Sequence, residues 1–295
     1  MLEALNNNSN TIPYIIITAG PAGAGKSKLP KLIIDKLKLN SKFVNIQIDD
    51  IVQSNPTYKS KINSIITNKG LNKKVINKIT SNTFNNNNLV KRIENAYFAV
   101  REGNFCGKKS NMTCNEYNDA LLNDAFDNNK NVVFETTGNS NNTIAWLFTQ
   151  IPKNYKIIIA YMIISYNVLL TRVAKRTLNT FKSYLKKTRN TTSHANKKNN
   201  STKKNNIFAP RLPNTKNKLY KDSITKTYVL LKKNIDDFLA EEPKILGRCN
   251  NFFVYDNTIN PEVIFEASRT EKKVNANANK VKQLINNYTA ESRSH

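Results

Sequence analysis

The segment Gly20-Pro21-Ala22-Gly23-Ala24-Gly25-Lys26-Ser27 constrains this chain more than any other. It fits G-x-x-x-x-G-K-[ST] in full, and its flanks fit as well. Before it, Pro13 to Thr18 (PYIIIT) is a β-branched run suited to a strand buried on both faces. After it, Leu29, Leu32, Ile33 and Leu37 recur at helical spacing, although Pro30 is placed to bend such a helix. The glycines let consecutive backbone N–H groups turn toward phosphate oxygens, and the helix adds the positive end of its dipole. Strand, loop and helix in this order predict a phosphate-binding loop at the carboxyl end of a buried strand.

The rest of the chain repeats the alternation. Lys42 to Ile48 (KFVNIQI), Asn131 to Glu135 (NVVFE), Tyr155 to Ile164 (YKIIIAYMII) and Phe252 to Asp256 (FFVYD) read as further short strands. Residues 58–125 are mainly helical in pattern, interrupted by the polar run Asn85–Asn88, and Val168 to Leu178 reads as another helix. The fold class implied is α/β, a P-loop NTPase fold with a five-stranded, mainly parallel sheet flanked by helices. Residues 1–11 are Asn-rich and predict a disordered start; 12–262 form one domain; 263–295 read as a polar tail with a helix. Within the domain, residues 182–206 are rich in Lys, Asn and Thr and predict a disordered basic insertion.

Composition removes several function classes. With two histidines in 295 residues, one of them the final His295, His-based metal sites and Ser–His–Asp chemistry are disfavoured. Cys106, Cys114 and Cys249 are odd in number and lack CxxC spacing, which argues against a disulfide framework or zinc ribbon and for a reducing compartment. The first residues lack the basic and apolar regions of a secretory signal, and no apolar run spans a bilayer; the expectation is a soluble, cytoplasmic protein without a membrane partner. The formal charge of +25, from 46 Lys plus Arg against 21 Asp plus Glu, has two readings. It suits a nucleic-acid partner, or it reflects an Asn-, Lys- and Ile-rich coding composition, since the lysines scatter instead of forming one stripe.

The loop specifies nucleoside triphosphate binding through Gly20, Gly23, Ala24, Gly25, Lys26 and Ser27. Lys26 is placed for the β- and γ-phosphates of ATP and Ser27 for Mg²⁺. Asp49 and Asp50 end the second strand at the sheet edge where ligands bind, and equally suit solvated loop carboxylates or a helix cap. Glu135 and Thr137 end the third strand; a carboxylate there needs a partner, which a structural ion pair would also supply. Arg172, Arg176 and Arg211 follow the fourth strand. Their planar forks suit phosphoryl oxygens, although Arg172 and Arg176 at i,i+4 also read as surface charges.

Through GPAGAGKS, IDDIVQSNPTY, NVVFETTG, the Arg172–Arg176 helix, APRLP around Arg211 and FFVYDNT, the chain resembles the zeta-toxin-like P-loop kinases. The resemblance runs in order over about residues 13–260. It implies an ATP- and Mg²⁺-dependent phosphotransferase acting on a hydroxyl of a small molecule such as a UDP-sugar. By motif position, Asp49 matches the general base, with Asp50 an alternative one residue on. Glu135 and Thr137 match the substrate-side acidic segment, and Arg176 and Arg211 the phosphate-binding arginines. Asn139 stands where these toxins often carry Arg, and the stretch from Arg176 to Arg211 is lengthened. The alternatives are a polynucleotide 5′-hydroxyl kinase and a P-loop protein that binds nucleotide or nucleic acid without catalysis. A toxin would be accompanied by an inhibitory antitoxin, which a single chain does not reveal.

Overall fold

The computed structural model describes residues 12–68, 88–107, 111–193, 209–210, 218–275 and 277–293. The apolar run at the start becomes β1 (Tyr14–Ala19), an interior strand of a seven-stranded sheet. β1 pairs in parallel with β3 (Asn131–Glu135) on one side and β4 (Lys156–Ile163) on the other. β2 (Phe43–Ile46) lies outside β3, also parallel, and β5 (Cys249–Asp256) outside β4. The continuous Ile/Val/Phe runs of β1, β3 and β4 follow from burial on both faces.

Five parallel strands are therefore present, but the sheet does not stop there. β6 (Glu262–Ser268) and β7 (Lys273–Asn275) extend it antiparallel beyond β5, giving the order β2-β3-β1-β4-β5-β6-β7. The expected five strands become seven. The segment after Pro261 is likewise not merely a polar tail: Phe265, Ala267, Val281, Ile285 and Tyr288 are all buried in the main core. The last helix, α9 (Ala278–Arg293), is tied down by Glu291, whose Oε2 accepts from Ser165 Oγ (2.8 Å) and Tyr166 N (2.9 Å).

Between β1 and β3 run α1 (Leu29–Leu37), α2 (Ile48–Ser54), α3 (Pro56–Asn68), α4 (Asn88–Glu102) and α5 (Cys114–Asp127). Lys26–Lys28 form a 3₁₀ turn first, so α1 begins at Leu29 and Pro30 sits in its first turn. There its missing N–H has no partner to lose, and the expected bend has no cause. Among residues 85–88, only Asn88 is described, and it opens α4.

α6 (Asn141–Gln150) follows β3, α7 (Tyr166–Ser193) follows β4, and α8 (Lys218–Leu239) precedes β5. α7 corrects the expectation of disorder from Lys182: the helix continues to Ser193. Phe181, Tyr184 and Leu185, at i, i+3 and i+4, are buried in a second core with Tyr58, Ile62, Ile93 and Tyr97 of α3 and α4. An apolar stripe outweighs the lysines beside it, Lys182, Lys186 and Lys187. Residues 194–206 of that insertion, like residues 1–11, lie outside the described residues.

A second correction concerns the cysteines. Cys106 and Cys114 form a disulfide with a Cα–Cα separation of 5.1 Å, clasping the turn between α4 and α5. A two-residue antiparallel bridge, Cys106 with Met112, brings the chain back on itself and delivers the second thiol. Cys249 is free and buried, and desolvation pushes its thiol up to about 12, leaving it unreactive.

Candidate functional site

The carboxyl end of β3, the loop after β1, and helices α2, α4, α5, α6 and α7 enclose an open cleft of about 490 Å³. Its floor is the glycine loop. Gly20, Gly23 and Gly25 have φ of 144°, 94° and 97°, a region side-chain-bearing residues rarely adopt. A Cβ would also collide at each: 2.3 Å from Met162 O, 2.2 Å from Val173 Cγ2 and 2.5 Å from Asn257 Nδ2. The loop is pressed against β4, α7 and the turn after β5, and only glycine fits that approach.

Gly23, Gly25, Lys26 and Ser27 line the cleft, whereas Gly20 and Ala24 do not. Gly20 N–H donates to Thr137 O (3.3 Å), and Ala24 O accepts from Asn257 Nδ2 (2.7 Å), so both shape the loop from behind. Lys26 is only 7 % exposed. Its ammonium donates to Gly20 O (3.0 Å) and Pro21 O (3.3 Å) and lies 3.4 Å from Glu135 Oε1. Register explains the ion pair: Thr18 of β1 is opposite Glu135 of β3, so strand end and loop start are neighbours.

Asp49 and Asp50 sit elsewhere than expected. β2 ends at Ile46, and both residues occupy the first turn of α2, where carboxylates complement the helix dipole. Both still line the cleft. Asp49 Oδ1 accepts a 2.5 Å hydrogen bond from the buried Tyr97 hydroxyl of α4. The Asp50 carboxyl is raised above the ordinary carboxylate range, first by partial desolvation in the cleft and then by the charges of Asp49 and Glu135.

Thr137 Oγ1 donates to Asn139 Oδ1 (2.8 Å), and Asn139 Nδ2 donates to Ser223 Oγ (2.8 Å) of α8. The segment after β3 is thereby fastened to α8. Arg172 and Arg176 of α7 have separate fates. Arg172 is committed to the turn after β5, donating to the carbonyls of Asn257 (2.5 Å), Thr258 (3.1 Å) and Ile259 (3.4 Å). Arg176, one turn on, is exposed and lines the cleft. Arg211 lies outside the described residues. The two residues before it are held at α2 and α3, where Ala209 N donates to Gln53 O (2.9 Å) and Tyr58 Oη to Pro210 O (2.7 Å).

The structure thus brings Lys26, Ser27, Asp49, Asp50, Glu135, Thr137 and Arg176 to one cleft. Sequence reasoning missed the wall opposite, where Arg101, Asn115, Asn118 and Asp119 face in from α4 and α5. Their spacing at i, i+3 and i+4 on α5 was the available signal, but polar residues at helical spacing ordinarily mean a solvated face. Among the described residues no group of three or more His, Cys, Asp or Glu side chains is arranged to hold a metal alone. No described helix is long and apolar enough to cross a membrane.

No protein-family model matches the chain, and no curated protein sequence does. Among solved structures, one similar chain comes from "Molecular and structural characterization of the PezAT chromosomal toxin-antitoxin system of the human pathogen Streptococcus pneumoniae". The two are 10% identical, with 96% of this chain and 86% of that chain covered at a TM-score of 0.45. A likeness of that size carries no argument here. What the molecule itself establishes is a mixed α/β fold around a mostly parallel sheet, with a glycine loop of P-loop type opening onto a cleft lined by charges of both signs.

Proposed function

We propose that this chain is an ATP-dependent kinase that transfers the γ-phosphoryl group to a hydroxyl, in the manner of the zeta-toxin-like P-loop kinases. The observation that carries the reading is the shared cleft: a glycine loop with Lys26 and Ser27 faces Asp49, Asp50 and Arg176 across one space. The collisions that a Cβ would make at Gly23 and Gly25 mark a cradle shaped by backbone, as phosphate recognition requires.

In this reading the loop amides hold the triphosphate, and Lys26 leaves Gly20 O, Pro21 O and Glu135 to meet the β- and γ-phosphates. Ser27, exposed at the cleft floor, is the residue that would hold Mg²⁺, whose charge offsets that of the phosphates when bound. The acceptor oxygen bonds to the γ-phosphorus as the bond to the β,γ-bridging oxygen breaks, and the hydroxyl proton passes to Asp49. Tyr97 holds that carboxylate in place. Asp50, with its raised carboxyl, is the alternative base. Arg176 stabilises charge on the transferring group, and Arg211 is assigned the same role from its motif.

Small-molecule hydroxyls such as those of UDP-sugars are the first acceptors to test. The charge of +25 favours one second reading, phosphorylation of polynucleotide 5′-hydroxyls. The experiment is radiolabelled γ-phosphoryl transfer from ATP to UDP-sugars and to 5′-hydroxyl RNA and DNA, with Lys26→Ala alongside. Turnover with one acceptor class, reduced about 10²–10³-fold in Lys26→Ala, is expected. Turnover unchanged by the substitution would sink the kinase reading.

A further inference from the structure

The charge of +25 is carried unevenly along the chain. No Asp or Glu occurs between Glu135 and Asp222, and α7, within that stretch, holds seven Lys or Arg and no acidic residue. Over the whole sequence the lysines scatter, but on α7 three of them fall into line. Lys175, Lys182 and Lys186 stand at i, i+7 and i+11, which puts them on one side of the helix. Asn179 and Ser183 lie beside them; Lys182 is half-buried and the other four residues are exposed. Among the described residues none of these three lysines has a hydrogen bond or an ion pair, whereas Lys36, Lys130 and Lys282 are each paired with a carboxylate.

The other sides of α7 are taken. Phe181, Tyr184 and Leu185 fill the second core, and Arg176, Thr177 and Thr180 line the cleft. What the free side lacks then identifies what it can hold. Between Lys175 and Lys186 no exposed side chain is aliphatic or aromatic. A bilayer would gain no inserted apolar area there, and a protein partner would find no anchor to bury. A single nucleic-acid strand would find no ring on which to stack its bases. Ammonium groups with an amide and a hydroxyl among them suit phosphate and sugar oxygens instead.

The three charges spread over about 16 Å of helix axis, the length of about five base-pair steps. A packed helix and a stiff duplex can meet along that length without ordering a flexible partner. With its other sides engaged, α7 cannot sink into a groove, so contact falls on the backbone and is indifferent to sequence. We infer that the outer face of α7, from Lys175 to Lys186, is a docking surface for a nucleic-acid duplex held by its phosphates. The inference needs no turnover and stands apart from the kinase reading.

The test measures fluorescence anisotropy of a short labelled DNA duplex of mixed sequence against the full chain, over a salt series. Two triple variants are compared. One is Lys175→Gln, Lys182→Gln, Lys186→Gln; the other removes the same charge elsewhere, through the exposed Lys31→Gln of α1, Lys91→Gln of α4 and Lys233→Gln of α8. Circular dichroism and Tm confirm that both fold. The α7 triple should weaken binding about 10- to 100-fold and lower the slope of log affinity against log salt by about 2–3. The control triple should do far less, a second duplex sequence should bind equally, and a non-hydrolysable ATP analogue with Mg²⁺ should change nothing. Equal loss in the two triples overturns the docking surface, because charge alone would then be responsible. So does an absence of duplex binding at low salt, tighter binding to single-stranded DNA or to phosphatidylserine vesicles, or displacement by the ATP analogue. Duplex binding that obeys the variants, with no phosphoryl transfer to any hydroxyl, leaves the surface standing and removes the kinase reading. Transfer to a hydroxyl with no duplex binding does the reverse.

Discussion

Two adjacent carboxylates on one short helix divide their work through their neighbours. Asp49 is gripped by Tyr97, whereas Asp50 is the more exposed of the two and carries a raised carboxyl. If Asp49 takes the proton, Asp49→Asn lowers turnover about 10²–10⁴-fold with little change in ATP affinity, and Asp50→Asn does not. The opposite pattern in steady-state kinetics reassigns the base to Asp50. Asp50 also bears on stability, with a definite sign. Its folded carboxyl lies above the unfolded value, so the folded state binds the proton more tightly, and stability from this group is lost as pH rises through the folded value. Asp50→Asn removes the like-charge repulsion with Asp49 and Glu135. Its Tm at pH 7 should therefore exceed wild type by about 1–2 °C, a small figure because the group is exposed to solvent. The difference should vanish in melts run at pH values low enough to protonate Asp50.

At the scale of elements, legibility followed the range of the forces involved. β1, β3 and β4 were readable because a strand buried on both faces writes itself as a continuous apolar run. β6 was not: EVIFEAS is half-buried, with Glu262, Glu266 and Ser268 interrupting its apolar residues, and its place depends on β5 alongside. The glycine loop was readable because its chemistry is local. The Asn118 wall was not, because which face of α5 meets the cleft is decided by tertiary packing. Likewise, the stripe Phe181–Leu185 was masked by a Lys-rich neighbourhood. The cysteines failed for a related reason: pairing depended on the bridge of Cys106 with Met112, which spacing alone does not reveal. That disulfide closes a short loop, and the chain-entropy model gives it about 2–3 kcal/mol. The double substitution Cys106→Ser with Cys114→Ser should lower the denaturant-derived stability by about that amount. Dithiothreitol should bring the wild type down to the same value while leaving the variant unmoved.

Taken whole, the molecule depends on its later residues. Removing everything after Pro261 takes away β6, the antiparallel partner of β5, and a buried stripe of Val281, Ile285 and Tyr288. The truncated chain should lose cooperative unfolding and ATP binding together, read by thermal melts and nucleotide titration. The link between the two is short. Tyr288 Oη donates to Asp256 Oδ2 (2.8 Å), Asp256 Oδ1 accepts from Thr258 N (2.9 Å), and Asn257 between them holds Ala24 O and abuts Gly25. The glycine loop is thus buttressed by residues made more than two hundred positions after it. On a ribosome, tens of seconds separate the emergence of Lys26 from that of Tyr288. Through that interval the nascent chain carries the loop, Asp49, Glu135 and Arg176 without the backing that holds the loop in shape. The activity proposed for this cleft therefore arrives only after Tyr288 has been made, and a ribosome stalled before β5 displays an inert chain.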